Sequence, residues 1–182
     1  TTGSTILTDI ESLPQSLLFW RSSTHFIGGL GVIVFLLMLI PDSSPAKLKL
    51  THLEFSALSK EGYKYKSGTT VKVVIAVYTA LAIAETLLLW AAGMTLFDAV
   101  NHAFSTVATG GFSTRNTSIM YYDSIAIEII ITVFMALSAM NFGVIFATFA
   151  QRSLKPLRNP VTRYYFSVIA IFSIIITLSL KF

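Results

Sequence analysis

Residues 95–107 form an apolar stretch too short to cross a bilayer, set between two stretches long enough to do so, 71–92 and 122–150. A hydrocarbon core about 30 Å thick needs roughly 20 apolar residues in a helix. Two more stretches qualify, 17–40, closed by Pro41, and 164–180. Supplying four spans requires an unusual composition, and 54% hydrophobic against 12% charged residues excludes an ordinary soluble globule. Lipid cannot satisfy backbone amides and carbonyls, so the expected fold is an all-α membrane protein. Cysteine is absent, which removes disulfide frameworks and thiolate metal sites. The opening Thr1-Thr2-Gly3-Ser4-Thr5, with no initiator Met or leader, reads as the interior of a motif, so the chain is expected to be a piece of a longer protein.

Cationic side chains set the orientation, because connections rich in Lys and Arg stay on the cytoplasmic side. Lys47, Lys49, Lys60, Lys64, Lys66 and Lys72 follow the first span, and Arg152, Lys155, Arg158 and Arg163 follow the third. With both connections cytoplasmic, the second span runs outward and the third inward, leaving 93–121 outside. A full crossing by 95–107 would carry the second basic connection to the wrong side. The short stretch is therefore expected to enter and return on one face.

Its local chemistry agrees. Thr95-Leu96-Phe97-Asp98 fits a helix-starting box, in which the Thr hydroxyl accepts from an otherwise unpaired backbone N–H. About a dozen residues at 1.5 Å each give a helix of roughly 18 Å, which reaches mid-membrane and no further. Its partially negative C-terminal end would then face Thr109 and favour a cation. Non-helical backbone at that depth is tolerated where protein or a wet cavity surrounds it. Ala108, Thr109, Gly110 and Gly111 are the expected ion-binding residues, since glycine permits the dihedrals that aim carbonyl oxygens together, and such oxygens can replace a hydration shell.

Thr1, Thr2, Gly3 and Ser4 form a second copy of this segment. Each copy leads through a polar stretch into a long apolar helix and then a basic segment, and Ser12-Leu13-Pro14-Gln15 is expected to box the first of those helices as Thr95 does the short one. Repeated span, pore loop, span units are one way to surround a pore. The expected organisation is the end of a first repeat (1–41), a cytoplasmic connection (42–70), a complete second repeat (71–150), a second connection (151–163) and the first span of a third repeat (164–182).

Ile10-Glu11-Ser12-Leu13-Pro14, Leu18-Phe19-Trp20-Arg21-Ser22, Gly28-Gly29-Leu30-Gly31-Val32-Ile33-Val34 and the block from Phe97-Asp98-Ala99 through His102-Ala103-Phe104 to Gly110-Gly111-Phe112-Ser113-Thr114 resemble the Trk/Ktr/HKT family of potassium transporters, most closely its bacterial Trk type. The resemblance implies four repeats around one pathway, each donating a Gly-centred quarter of a selectivity filter, with quarters here at Gly3 and Gly110. It implies potassium uptake across the cell inner membrane, with potassium as the transported ligand and no other cofactor. In that family Gly at the first filter position goes with potassium and Ser with sodium, so Gly3 favours potassium. A cytosolic nucleotide-binding regulatory subunit on the basic face and pairing of two full-length chains are also implied. His25 departs from the pattern, which commonly has Gln there. A sodium-permeable or proton-coupled relative is the nearest alternative.

Glu85 and Glu128 lie inside predicted spans, where carboxylates are costly and mark function or a buried partner. They are expected to support the filter by accepting hydrogen bonds from loop amides, or to attract cations. An intramembrane hydrolase built on this pair is a rival reading, as is a purely structural helical subunit. Gly28, Gly29 and Gly31 suit a close helix approach, and Asn141 or Gly143 a cross-helix bond or a bend. His25, His52 and His102 show no paired ligand spacing for a metal or haem. The lysines of 47–72 are explained by topology and anionic membrane lipid without nucleic acid.

Overall fold

The computed structural model describes residues 1–39, 67–150 and 152–179, and among these every regular element is helical. Lys47, His52, Lys60 and most of the predicted connection 42–70 lie outside the described residues, as does Pro41. The long helices are α1 (Gln15–Leu39), α2 (Ser67–Ala91) and α6 (Pro160–Ser179). Between them stand the short α3 (Leu96–Val107), α4 (Ile125–Ser138) and α5 (Phe142–Ala150). Val71–Ala91 and Pro160–Ser179 are each long and apolar enough to cross a membrane, and α4 with α5 makes a third such unit if counted as one span.

That third unit differs from the continuous span expected from its hydropathy, because α4 and α5 meet at a bend of 105°. Asn141 accounts for the restart. Its Oδ1 accepts from the backbone N–H of Gly143 at 2.9 Å and of Val144 at 3.3 Å. An Asn side chain that satisfies the first amides of a new helix favours a start there over continuation of the old one. Hydropathy is blind to this, since a capping Asn inside an apolar run lowers the average only slightly.

The start of α3 is as expected: Thr95 is extended and its hydroxyl accepts from the Asp98 N–H at 3.1 Å. The start of α1 is not. Ser12 donates its hydroxyl to the Asp9 carbonyl at 3.1 Å, and α1 instead begins on the Pro14 carbonyl, which accepts from Leu17 at 2.9 Å. Proline pre-sets the dihedral of a first helical turn without needing a capping hydroxyl.

α3 is enclosed by α1, α2 and α4, most extensively by α2. One apolar core gathers Val77 and Tyr78 of α2 with Val107, Ala108, Phe134 and Phe142. A second, at the opposite end of α2, joins Leu89 and Met94 to Ala99, Ile127 and Ile131. Of the three glycines in α1, Gly29 sits at the close approach: a Cβ there would lie 2.6 Å from the Tyr78 hydroxyl and 3.2 Å from Ala108. α6 projects outward with only 6% of its apolar window buried, held by a hydrogen bond from the Tyr165 hydroxyl to the Ala136 carbonyl at 3.0 Å. Arg152, Lys155, Arg158 and Arg163 are exposed around its start.

Candidate ion-pathway site

Two Gly-centred segments roughly a hundred residues apart in the chain meet in space. The second is set by how α3 ends. Gly110 N–H donates to the Ser105 carbonyl at 2.8 Å and Thr109 N–H to the Thr106 carbonyl at 2.9 Å, the paired bonds of a left-handed helix stop. Thr109 supplies the left-handed residue, with φ +55°, and Gly111 follows at φ +88°. A β-branched residue in that region costs about 1–3 kcal/mol and persists where its surroundings fix it. Freedom of dihedral is thus used at Gly111, whereas Gly110 is needed for space.

The missing Cβ of Gly3 points at the Gly110 carbonyl, and the missing Cβ of Gly110 points into the His25 ring, whose Cγ would lie 2.6 Å away. Side chains at either position would drive the segments apart. Thr1 to Ser4, Thr109 and Gly111 are exposed, whereas Ala108 and Gly110 are buried.

His25, buried on α1, contacts both segments. Its Nε2 lies 3.1 Å from the Thr2 carbonyl, its Nδ1 3.3 Å from the Ser105 hydroxyl, and its ring stacks on Phe112 at 3.8 Å. His102 on α3 makes the corresponding tie to the outgoing strand, with Nδ1 2.8 Å from the Asp98 carbonyl and Nε2 3.0 Å from the Ser113 hydroxyl. Beyond it a polar cluster lashes the two copies together. Asp98 accepts from the Thr114 hydroxyl at 2.6 Å and from Arg115 at 3.1 Å. Arg115 also stands 3.9 Å from Glu11 and lies over the Tyr121 ring. Asn116 accepts from the Ile10 N–H at 2.6 Å and donates to Asp9 at 2.9 Å.

Burial pushes the Asp98 carboxyl up, but hydrogen bonds from Thr114 and Thr95 and the Arg115 guanidinium outweigh it and hold it below its ordinary value of 3.8. The side chain is charged throughout the neutral range.

The two intramembrane acids part company. Glu85 is fully buried in α2, and no loop amide reaches its carboxylate, so the expected bonds from loop amides are not what holds it. Its polar neighbour is Thr106, next to the Ser105 that anchors Gly110. Glu128 lies in the first turn of α4, exposed, while Ile127 and Ile131 turn inward. His25, His102, Arg115 and Asn116 are not among the site residues that the sequence singles out; the signal that points to His25 is a polar run, Arg21-Ser22-Ser23-Thr24-His25, ending one turn before Gly29 inside a predicted span.

The family model for TrkH, described as a cation transport protein, matches residues 1–180. The chain is 38% identical over its whole length to the Trk system potassium uptake proteins TrkH of Salmonella typhimurium and of Escherichia coli K12. It spans 38% of the length of those two relatives. It is also similar to the crystal structure of the potassium transporter TrkH from Vibrio parahaemolyticus, with a TM-score of 0.64 and 35% identity over 90% of this chain and 30% of that one. The chain belongs to the TrkH family of cation transport proteins, which are not enzymes.

Proposed function

We propose that this chain is part of a potassium uptake protein of the cell inner membrane, in which α3 is a re-entrant pore helix and Thr1–Ser4 with Ala108–Gly111 form two quarters of a selectivity filter. The observation that carries the reading is the contact of Gly3 with the Gly110 carbonyl. Two separated repeats spend their glycines on bringing backbone together, which is what a pathway lined by main-chain oxygens requires. Further repeats would complete the ring around this pair. Potassium would move down its electrochemical gradient, to which a negative-inside potential contributes about 2.3 kcal/mol per charge per 100 mV. The exposed arginines and Lys155 before α6 suit a cytoplasmic face that meets anionic lipid and a nucleotide-binding regulatory subunit, with two full-length chains pairing in the membrane.

The test is rubidium flux into vesicles holding the full-length protein. Uptake that persists in excess sodium is expected, and uptake abolished by sodium would favour the sodium-permeable alternative. Because cysteine is absent, Ala92→Cys and Thr117→Cys can be labelled singly in this chain. Both are expected to react from outside the cell. Reaction from opposite compartments would mean that α3 crosses the membrane and would overturn the pathway.

Glu85 is the acid assigned here to filter support, through its packing against the end of α3. Glu85→Ala is expected to lower unfolding stability by about 3 kcal/mol, as other large-to-small core changes do. Glu85→Gln, of equal volume, should fold normally, so the two melting curves of the purified proteins separate packing from charge.

A further inference from the structure

We infer that His25 is a positioning residue of the ion pathway, its imidazole joining the filter segments of two successive repeats and fixing the gap between them; the role rests on the pathway reading above.

Hydrogen-bond chemistry assigns the ring state. The Thr2 carbonyl can only accept, so Nε2 carries the hydrogen across the 3.1 Å separation. Nδ1 then offers a lone pair to the Ser105 hydroxyl at 3.3 Å. Ser105 in turn accepts the Gly110 N–H on its own carbonyl at 2.8 Å. One side chain therefore reaches the first segment directly and the second through the residue that ends its helix. The ring face closes the arrangement, stacked on Phe112 with 14° between planes and filling the space that a Cβ on Gly110 would need. A neutral ring with one donor and one acceptor satisfies both segments at once, and its rigidity converts two hydrogen bonds into a spacing.

The same geometry makes the spacer sensitive to protons. Around the ring stand Thr2 from the first segment, Ser105 from α3, Gly110 and Phe112 from the loop, and Arg21 one turn earlier on α1. Arg21 lies 4.3 Å from the Phe112 ring centre. Its positive charge acts on His25. A protonated His25 would add a positive charge beside the filter and convert Nδ1 from acceptor to donor. Uptake is therefore expected to fall on the acid side as that form accumulates.

The experiment measures rubidium uptake against sodium competition by the full-length protein in vesicles, for wild type, His25→Gln and His25→Ala, between about pH 5 and 8, the range in which histidine titrates. A Gln amide keeps one donor and one acceptor but does not titrate. The expected result is a rubidium preference reduced about tenfold in His25→Ala, the scale of one lost hydrogen bond. His25→Gln should keep that preference within about twofold and lose the acid-side decline of the wild type. An unchanged preference in His25→Ala, or the wild-type pH profile in His25→Gln, would overturn the role. If His25→Ala does not reach the membrane, the His25→Gln profile still decides. A wild type that passes no alkali cation would sink the pathway reading instead, so nitrogen NMR of histidine-labelled protein supplies a readout independent of flux. The signal lost in His25→Gln should be a ring protonated at Nε2, with an Nδ1 resonance that moves in Ser105→Ala; a ring protonated at Nδ1 would refute the tie.

Discussion

Gly110→Ala is expected to cut rubidium uptake by roughly 10- to 100-fold without removing the protein from the membrane. Forcing one extra methyl into a packed site typically costs about 1–3 kcal/mol, and every 1.4 kcal/mol is a factor of about ten. The methyl at Gly110 meets the face of His25 rather than solvent. Because the obstacle is a side chain, Gly110→Ala combined with His25→Ala should recover part of the lost flux, giving a coupling that a double-mutant cycle can read. Gly3→Ala supplies the contrast. Its methyl would meet the Gly110 carbonyl itself, so no side-chain truncation relieves it and the same rescue should fail. Wild-type flux in Gly110→Ala would show that the imidazole moves aside freely and that the segments are not held at a fixed gap.

A second large effect, on stability, is expected at Asp98. Removing one partner of a buried ion pair leaves the other uncompensated and costs about 3–5 kcal/mol when both are enclosed. Asp98 is nearly enclosed, with 5% of its side chain exposed, but Arg115 keeps 26%. Asp98→Ala should therefore fall near the lower end, about 2–3 kcal/mol, seen as a lowered melting temperature of the purified protein. Asp98→Asn retains an acceptor for Thr114 and should lose about half as much. Acid acts on the same group. Its folded-state carboxyl titrates below 3.8, so its contribution is complete above 3.8 and disappears as the pH falls through the lower folded value. A melting temperature unchanged in Asp98→Ala would remove the clamp from the account.

Hydropathy and charge located the long helices, and the Thr95 box located the start of α3, because both signals are local. Glycine spacing found the paired segments for the same reason. The bend falls at Asn141, where the sequence suggests a cross-helix bond and gives the bend to Gly143, since a capping amide and a bridging one have the same composition. Glu85 and Glu128 are alike in sequence but opposite in burial, a distinction made by which face of each helix the neighbouring helices cover. His25 shows only a lack of ligand spacing in the sequence, because its partners, Thr2 and Ser105, lie 23 and 80 positions away. Contacts of that span leave no periodic trace.

The lash between Ile10 and Asn116 joins positions 106 apart. At a synthesis rate of about 5–20 residues per second, the leading segment waits some 5–20 seconds for the strand that locks it. Fixing of the segment before α1 is therefore a late event in biogenesis, and an emerging chain that stalls before Asn116 would leave that segment without its latch.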